Sequence, residues 1–136
     1  MKGFIDDIEE LTETNKDFRR VIYTGKHLQL VLMSIPPGEE IGEEVHETHD
    51  QFFRIEKGKG EVRIDGVATK VKADFGIIVP AGARHNVVNT GDKPLRLYTL
   101  YGPPEHRDGV VHPTKADVTE EHFDGVLTED GPGTKV

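Results

Sequence analysis

Pro36–Gly60, PPGEEIGEEVHETHDQFFRIEKGKG, places Glu44, His46, His49 and Gln51 within eight positions, and Asp74–Asn89, DFGIIVPAGARHNVVN, adds His85 after a Pro80-Ala81-Gly82 turn. Oxygen and imidazole donors this dense point to a bound cation. If Ile41–His46 is extended, side chains alternate, so Glu44 and His46 share one face and Glu43 and Val45 the other. Gln51–Ile55 reads as the next strand, with Gln51, Phe53 and Ile55 on one face and Phe52, Arg54 and Glu56 opposite. After the apolar run Gly76–Val79 and its turn, His85, Val87 and Asn89 share a face of a further strand.

The surrounding chain has the same short period. Phe18–Thr24 is β-rich and ends at Gly25-Lys26, a hairpin turn into His27–Ile35, where Leu28, Leu30 and Leu32 alternate with Gln29, Val31 and Met33. Both faces of that strand are largely apolar, so it is expected to be covered on both sides. Gly58-Lys59-Gly60 and Asp65-Gly66 mark turns around Glu61–Ile64, Val67–Lys72 continues the meander, and Thr90–Pro94 turns into Leu95–Tyr101. Short strands between turns, with almost no helix, predict an all-β antiparallel barrel or sandwich.

Together the two stretches resemble the paired motifs of the cupin superfamily, small jelly-roll barrels (double-stranded β-helices) that usually hold one divalent metal. The second motif, G-x5-P-x-G-x2-H-x3-N, is matched by Pro80, Gly82, His85 and Asn89, with Asp74 where the pattern has its first Gly. Anchoring the first motif, G-x5-H-x-H-x3or4-E-x6-G, on Gly58 puts Glu44 at the first His, His46 at the second and Gln51 at the Glu. The resemblance therefore implies a metal on Glu44, His46, Gln51 and His85 in place of the usual three His and one Glu. Two imidazoles, a carboxylate and an amide oxygen suit Mn, Fe, Ni or Zn. Gln51 has a second reading, a hydrogen bond to a ligand His. Asn89 and Gly82 read as structural. One-barrel proteins of this kind are often labelled mannose-6-phosphate isomerase-like, a label that says nothing of activity.

Composition narrows the classes. The 136 residues make one domain, 1–136, expected as an N-terminal arm (1–20), a barrel (21–102) and a C-terminal extension (103–136). With 17 Lys+Arg against 25 Asp+Glu the formal net charge is -8, which disfavours nucleic acid and anionic membranes as partners. The absence of Cys excludes disulfides and thiol chemistry, and an acidic, polar N-terminus unlike a signal peptide leaves the cytoplasm as the expected compartment.

Phe4–Leu11 has Ile5, Ile8 and Leu11 at helical spacing and is expected to pack on the barrel. The Gly-, Pro- and charge-rich chain from Gly102 onward is expected to wrap the barrel or a partner, with a short helix at Lys115–Phe123 and a loose end after Asp124. Either a homodimer or the extensions themselves would cover outward Phe52 and the two-sided Leu28–Met33 strand. His27, His106, His112 and His122 lie outside both motifs and are not read as ligands, while His49, opposite His46 on an unbroken strand, is placed at the site rim. Met33, Phe53, Tyr98 and Arg54 are candidate pocket residues, with Arg54 on the outward face if the strand is regular. No catalytic acid or base is identified. The functional expectation is a metal-dependent oxygenase, keto-acid decarboxylase or sugar/uronate isomerase acting on a small oxygenated substrate, the alternative being a non-catalytic ligand- or metal-binding module.

Overall fold

Turn chemistry divides the chain into strands. In the computed structural model, which describes residues 2–130, these are β1 Arg19–Thr24, β2 Gln29–Ile35, β3 Glu44–Val45, β4 Asp50–Lys57, β5 Lys59–Ile64, β6 Val67–Lys72, β7 Gly76–Val79, β8 Arg84–Asn89, β9 Leu95–Gly102 and β10 Val111–His112. All pair antiparallel, in a six-stranded sheet ordered β10-β1-β2-β9-β4-β7 and a four-stranded sheet ordered β3-β8-β5-β6. The inner faces enclose one core that includes Val31, Met33, Ile35, Phe53, Ile55, Val62, Val87, Leu95 and Leu97. This is the jelly-roll expected from the sequence.

Several turns need glycine or its equivalent. Asp74, which stands where the motif has Gly, has φ 75°, in the left-handed region that glycine occupies without cost. Gly58 has φ 94°, and a Cβ there would come within 2.9 Å of the Pro94 carbonyl oxygen. Asn89 ties strand ends together: its amide donates to the carbonyls of Ile35 and Lys93, both at 2.8 Å, and its oxygen accepts from the Gly91 amide at 2.8 Å.

Every residue of β2 is buried. Its outer side chains, Leu30 and Leu32, are covered within the same chain, because helix α1, Ile8–Thr14, packs across β2, β4 and β9. Burying each such leucine stabilises the fold by about 2 kcal/mol. The helix begins later than the Phe4–Leu11 spacing suggests. The Asp7 carboxylate accepts from the Glu10 amide at 3.1 Å and so fixes the first turn, leaving Ile5 fully exposed.

The C-terminal extension differs more from expectation. A 3-10 turn, Lys115–Asp117, replaces the Lys115–Phe123 helix; the Asp117 carboxylate accepts from the Thr114 amide and hydroxyl, and the chain carries no helix from there to a second 3-10 turn at Thr128–Asp130. Nor is 125–130 loose. Thr128 accepts from the Thr24 amide at 2.7 Å and donates to Asp108 at 2.9 Å, and Glu129 accepts from the Tyr23 hydroxyl at 2.8 Å. The remaining end, 131–136, lies outside the described residues.

Candidate functional site

Register places the four candidate ligands. Glu44 on β3 and His85 on β8 are direct cross-strand partners, and His46 follows β3, its carbonyl accepting from the Gly82 amide at 2.9 Å. The Pro80–Gly82 turn is thereby fastened to the strand that carries His46. Gln51, opposite Val79 and Tyr101, shares the inward parity of Phe53 and Ile55. Glu44 Oε2 lies 3.3 Å from His46 Nε2, and the His46 and His85 ring centroids are 5.5 Å apart.

Hydrogen bonding leaves particular atoms free. The His85 Nδ1 lies 3.2 Å from the Ala83 carbonyl, which only accepts, so that nitrogen carries the proton and Nε2 offers its lone pair. Gln51 donates to the Thr99 hydroxyl at 3.0 Å rather than to a histidine, and its Oε1 is buried with no hydrogen-bond partner. The Nε2 of His46 is likewise buried and without one, the Glu44 contact being off hydrogen-bond alignment. Contact with Glu44 raises the His46 imidazole above its ordinary value, against the pull of burial. Burial acts to raise the Glu44 carboxyl, but His46, Arg19 and His85 hold it below its ordinary value.

Chain outside the motifs builds the wall above this set. Glu105 lies 3.7 Å from His46 Nδ1, 3.3 Å from His49 Nε2 and 3.5 Å from His122 Nδ1. The buried Gln29 amide fixes this segment by accepting from the Glu105 and His106 amides at 3.2 and 2.9 Å and donating to the His106 carbonyl at 2.7 Å. His106 stands edge-on to Tyr101, with 3.2 Å between its Nε2 and the Tyr101 hydroxyl. Burial and neighbouring positive charge push His106 down to about 3, and burial raises Tyr101, so the pair is neutral. Between barrel and extension lies a cavity of about 410 Å³ whose lining includes Phe18, Arg19, Glu44, Glu105, His106 and His122. A larger cleft of about 540 Å³ around Lys59, Lys70 and Phe75 holds none of the candidate ligands.

Some placements differ from the sequence reading. His49 is not opposed to His46, because a turn at Glu47-Thr48 breaks the alternation and sets the two rings 5.9 Å apart. Tyr98 faces outward against Phe52; the inward positions of β9 are Leu95, Leu97, Thr99 and Tyr101. Arg54 is outward too, beside Glu56 and Asp74. Phe53 is buried with its ring 6.2 Å from His85, Met33 is buried in the core and His27 is exposed. The sequence reading missed Arg19, Glu105 and Tyr101. Only Tyr101 carried a signal, its parity with Leu95 and Leu97.

Among the described residues no three His, Cys, Asp or Glu side chains converge closely enough to hold a metal ion. The donor chemistry nevertheless fits a cation: a buried, unpartnered acceptor, Gln51 Oε1, shares an interior with His85, an ionised Glu44 and the buried His46 Nε2 beside it. The cupin domain model matches residues 31–101, the range that contains all four. The chain belongs to the cupin family. This cupin is 48% identical over 122 residues to the uncharacterized protein YrkC of Bacillus subtilis, an alignment covering 85% of this chain and 66% of that protein. A crystal structure of BH2720 from Bacillus halodurans superposes with a TM-score of 0.84 at 47% identity, covering 85% of this chain and 92% of the other. The polyketide synthase protein CurC of Streptomyces cyaneus is 27% identical over 121 residues, 82% of this chain and 77% of its own length. Among the described residues no helix is long and apolar enough to cross a membrane.

Proposed function

We propose that this cupin holds one divalent metal ion, Mn, Fe, Ni or Zn, on Glu44, His46, Gln51 and His85, and that it acts there on a small oxygenated molecule as an oxygenase, keto-acid decarboxylase or isomerase. The observation that carries the reading is a buried acceptor without a partner, Gln51 Oε1, in one interior with His85 and with His46 Nε2 held against an ionised carboxylate. Leaving Gln51 Oε1 unsatisfied costs about 1–3 kcal/mol, and a cation would recover that cost. When bound, the metal polarises a carbonyl or enolate oxygen and acidifies bound water. His85 is oriented for this by Ala83, and Gln51 by Thr99. His46 gives up its proton and its contact with Glu44, while Glu105 and His49 close the wall and limit water. CurC supports a polyketide-type oxygenated substrate by likeness alone.

A second reading, a binding module without turnover, is favoured by one observation. The two carboxylates that contact His46, Glu44 and Glu105, already engage imidazoles, so neither stands free as a general base.

Elemental analysis of untagged protein, beside Glu44→Ala, His46→Ala, Gln51→Ala and His85→Ala, tests the proposal. Near-stoichiometric metal in the parent, lost in the His46, His85 and Glu44 variants, is expected. A parent that holds no metal and takes up none on reconstitution refutes it. Turnover of keto acids or catechols by the loaded protein, absent with a redox-inactive ion, separates an oxygenase from the binding module.

A further inference from the structure

Arg19 stands first on β1 with only 6% of its surface exposed, and it lines the cavity that contains Glu44 and Glu105. A guanidinium this deeply buried is normally paired, because desolvating a charge costs several kcal/mol. Here Nε is buried without a hydrogen-bond partner, and among the described residues the guanidinium forms no ion pair within 4.0 Å. Its ring contact is with Phe18, whose centroid lies 5.4 Å from Cζ. Four carboxylates line the same cavity, none of them within ion-pair distance of Arg19: Glu44 is committed to His46, Glu105 to His46, His49 and His122, Glu121 to Arg107, and Glu120 is exposed. Cross-strand from Arg19 on β10 is His112, 5% exposed, with neither ring nitrogen hydrogen-bonded and Glu121 at 3.9 Å. Among the described residues, Arg19 Nε and both His112 ring nitrogens are thus buried side by side without a hydrogen-bond partner.

We propose that Arg19, backed by His112, recognises a carboxylate on the ligand that enters this cavity. The inference deepens the function proposed above by naming the ligand class of the cavity that Glu44, one of the candidate metal ligands, lines, but it needs no metal. A planar carboxylate matches the guanidinium fork with two parallel hydrogen bonds. A singly charged group also suits the surroundings better than a phosphate, since Glu44, Glu105, Glu120 and Glu121 line the cavity against Arg19 and Lys115. The cavity volume of about 410 Å³ lies at the small end of ligand sites, consistent with a small organic acid.

Calorimetric titration of chelator-treated protein with pyruvate, benzoate, benzamide and inorganic phosphate, together with thermal unfolding, tests this. Parent protein is expected to bind pyruvate or benzoate, and to bind benzamide and phosphate more weakly. Arg19→Met and Arg19→Gln are expected to weaken carboxylate binding by about thirtyfold or more, the low end for removing one partner of a buried charge pair. Because none of the described residues forms an ion pair with this charge, at least one variant should melt no lower than the parent, and Arg19→Lys should recover part of the binding. Four results overturn the proposal: no carboxylate binding by the parent, equal binding of benzamide, stronger binding of phosphate, or a large loss of stability in both neutral variants. Metal content measured on the same samples keeps the two proposals apart. Loss of metal in His46→Ala with anion binding intact would leave Arg19 as assigned.

Discussion

Replacing Gln29 by Met separates the barrel from the wall of its site. Gln29 is completely buried, and its amide makes the four hydrogen bonds available to it, from the Glu105 and His106 amides and to the His106 carbonyl and the Thr24 hydroxyl. Met fills nearly the same volume, so little packing is lost and the polar contacts dominate. Four bonds at about 1 kcal/mol net each give about 4 kcal/mol. Partial rehydration of the freed backbone, where the segment lifts toward solvent, lowers the expected loss to about 3 kcal/mol. For a domain of this size that corresponds to a fall in Tm of about 10 °C. Urea unfolding should show a lower midpoint with an unchanged slope, and hydrogen exchange at the Glu105 and His106 amides should accelerate more than in β9. A loss below about 1 kcal/mol with unchanged exchange at those amides would refute the claim that Gln29 holds the extension down. Gln29→Glu sharpens the test: a carboxylate still accepts from both amides but faces the His106 carbonyl with no proton to donate, so destabilisation at neutral pH is expected.

Two further outcomes follow from geometry. A Cβ on Gly60 would overlap the Val88 carbonyl oxygen where β5 pairs with β8, so Gly60→Ala should cost about 1–3 kcal/mol in urea unfolding, and a neutral result would refute the close approach. His106 titrates at about 3 in the native protein, so between that value and the ordinary histidine range the unfolded chain binds the extra proton. Stability should therefore fall as pH falls through this window, by at most about 1.4 kcal/mol per pH unit from this residue. His106→Gln should flatten that limb, and an unchanged slope would show that His106 does not cause it.

The barrel was legible because its strands alternate and its turns carry Gly, Pro and Asp at the positions that need them. Asp74 illustrates why a motif can vary: the position demands positive φ, and Asp tolerates it. The inward parity of Glu44, Gln51 and His85 followed from strand period alone. His49 did not, because two turn residues reset the alternation. Glu105 and Arg19 could not be found the same way. One lies in a Gly- and Pro-rich segment without periodicity, the other precedes the first motif, and both reach the site through tertiary pairing that no local pattern encodes.

The Gln29 clamp also bears on the order in which the molecule opens. Its contact with His106 joins positions 77 residues apart in sequence, and the Arg19–His112 register closes a longer loop still. The β2–β9 ladder already sets Gln29 opposite Tyr101, so these contacts are added locally onto a paired sheet. Their release therefore needs less than global unfolding, while β2, β4 and β9 stay paired. The cavity wall is then a separate low-energy opening unit, and ligand capture would register first as slowed exchange in residues 103–112, ahead of any change in the core.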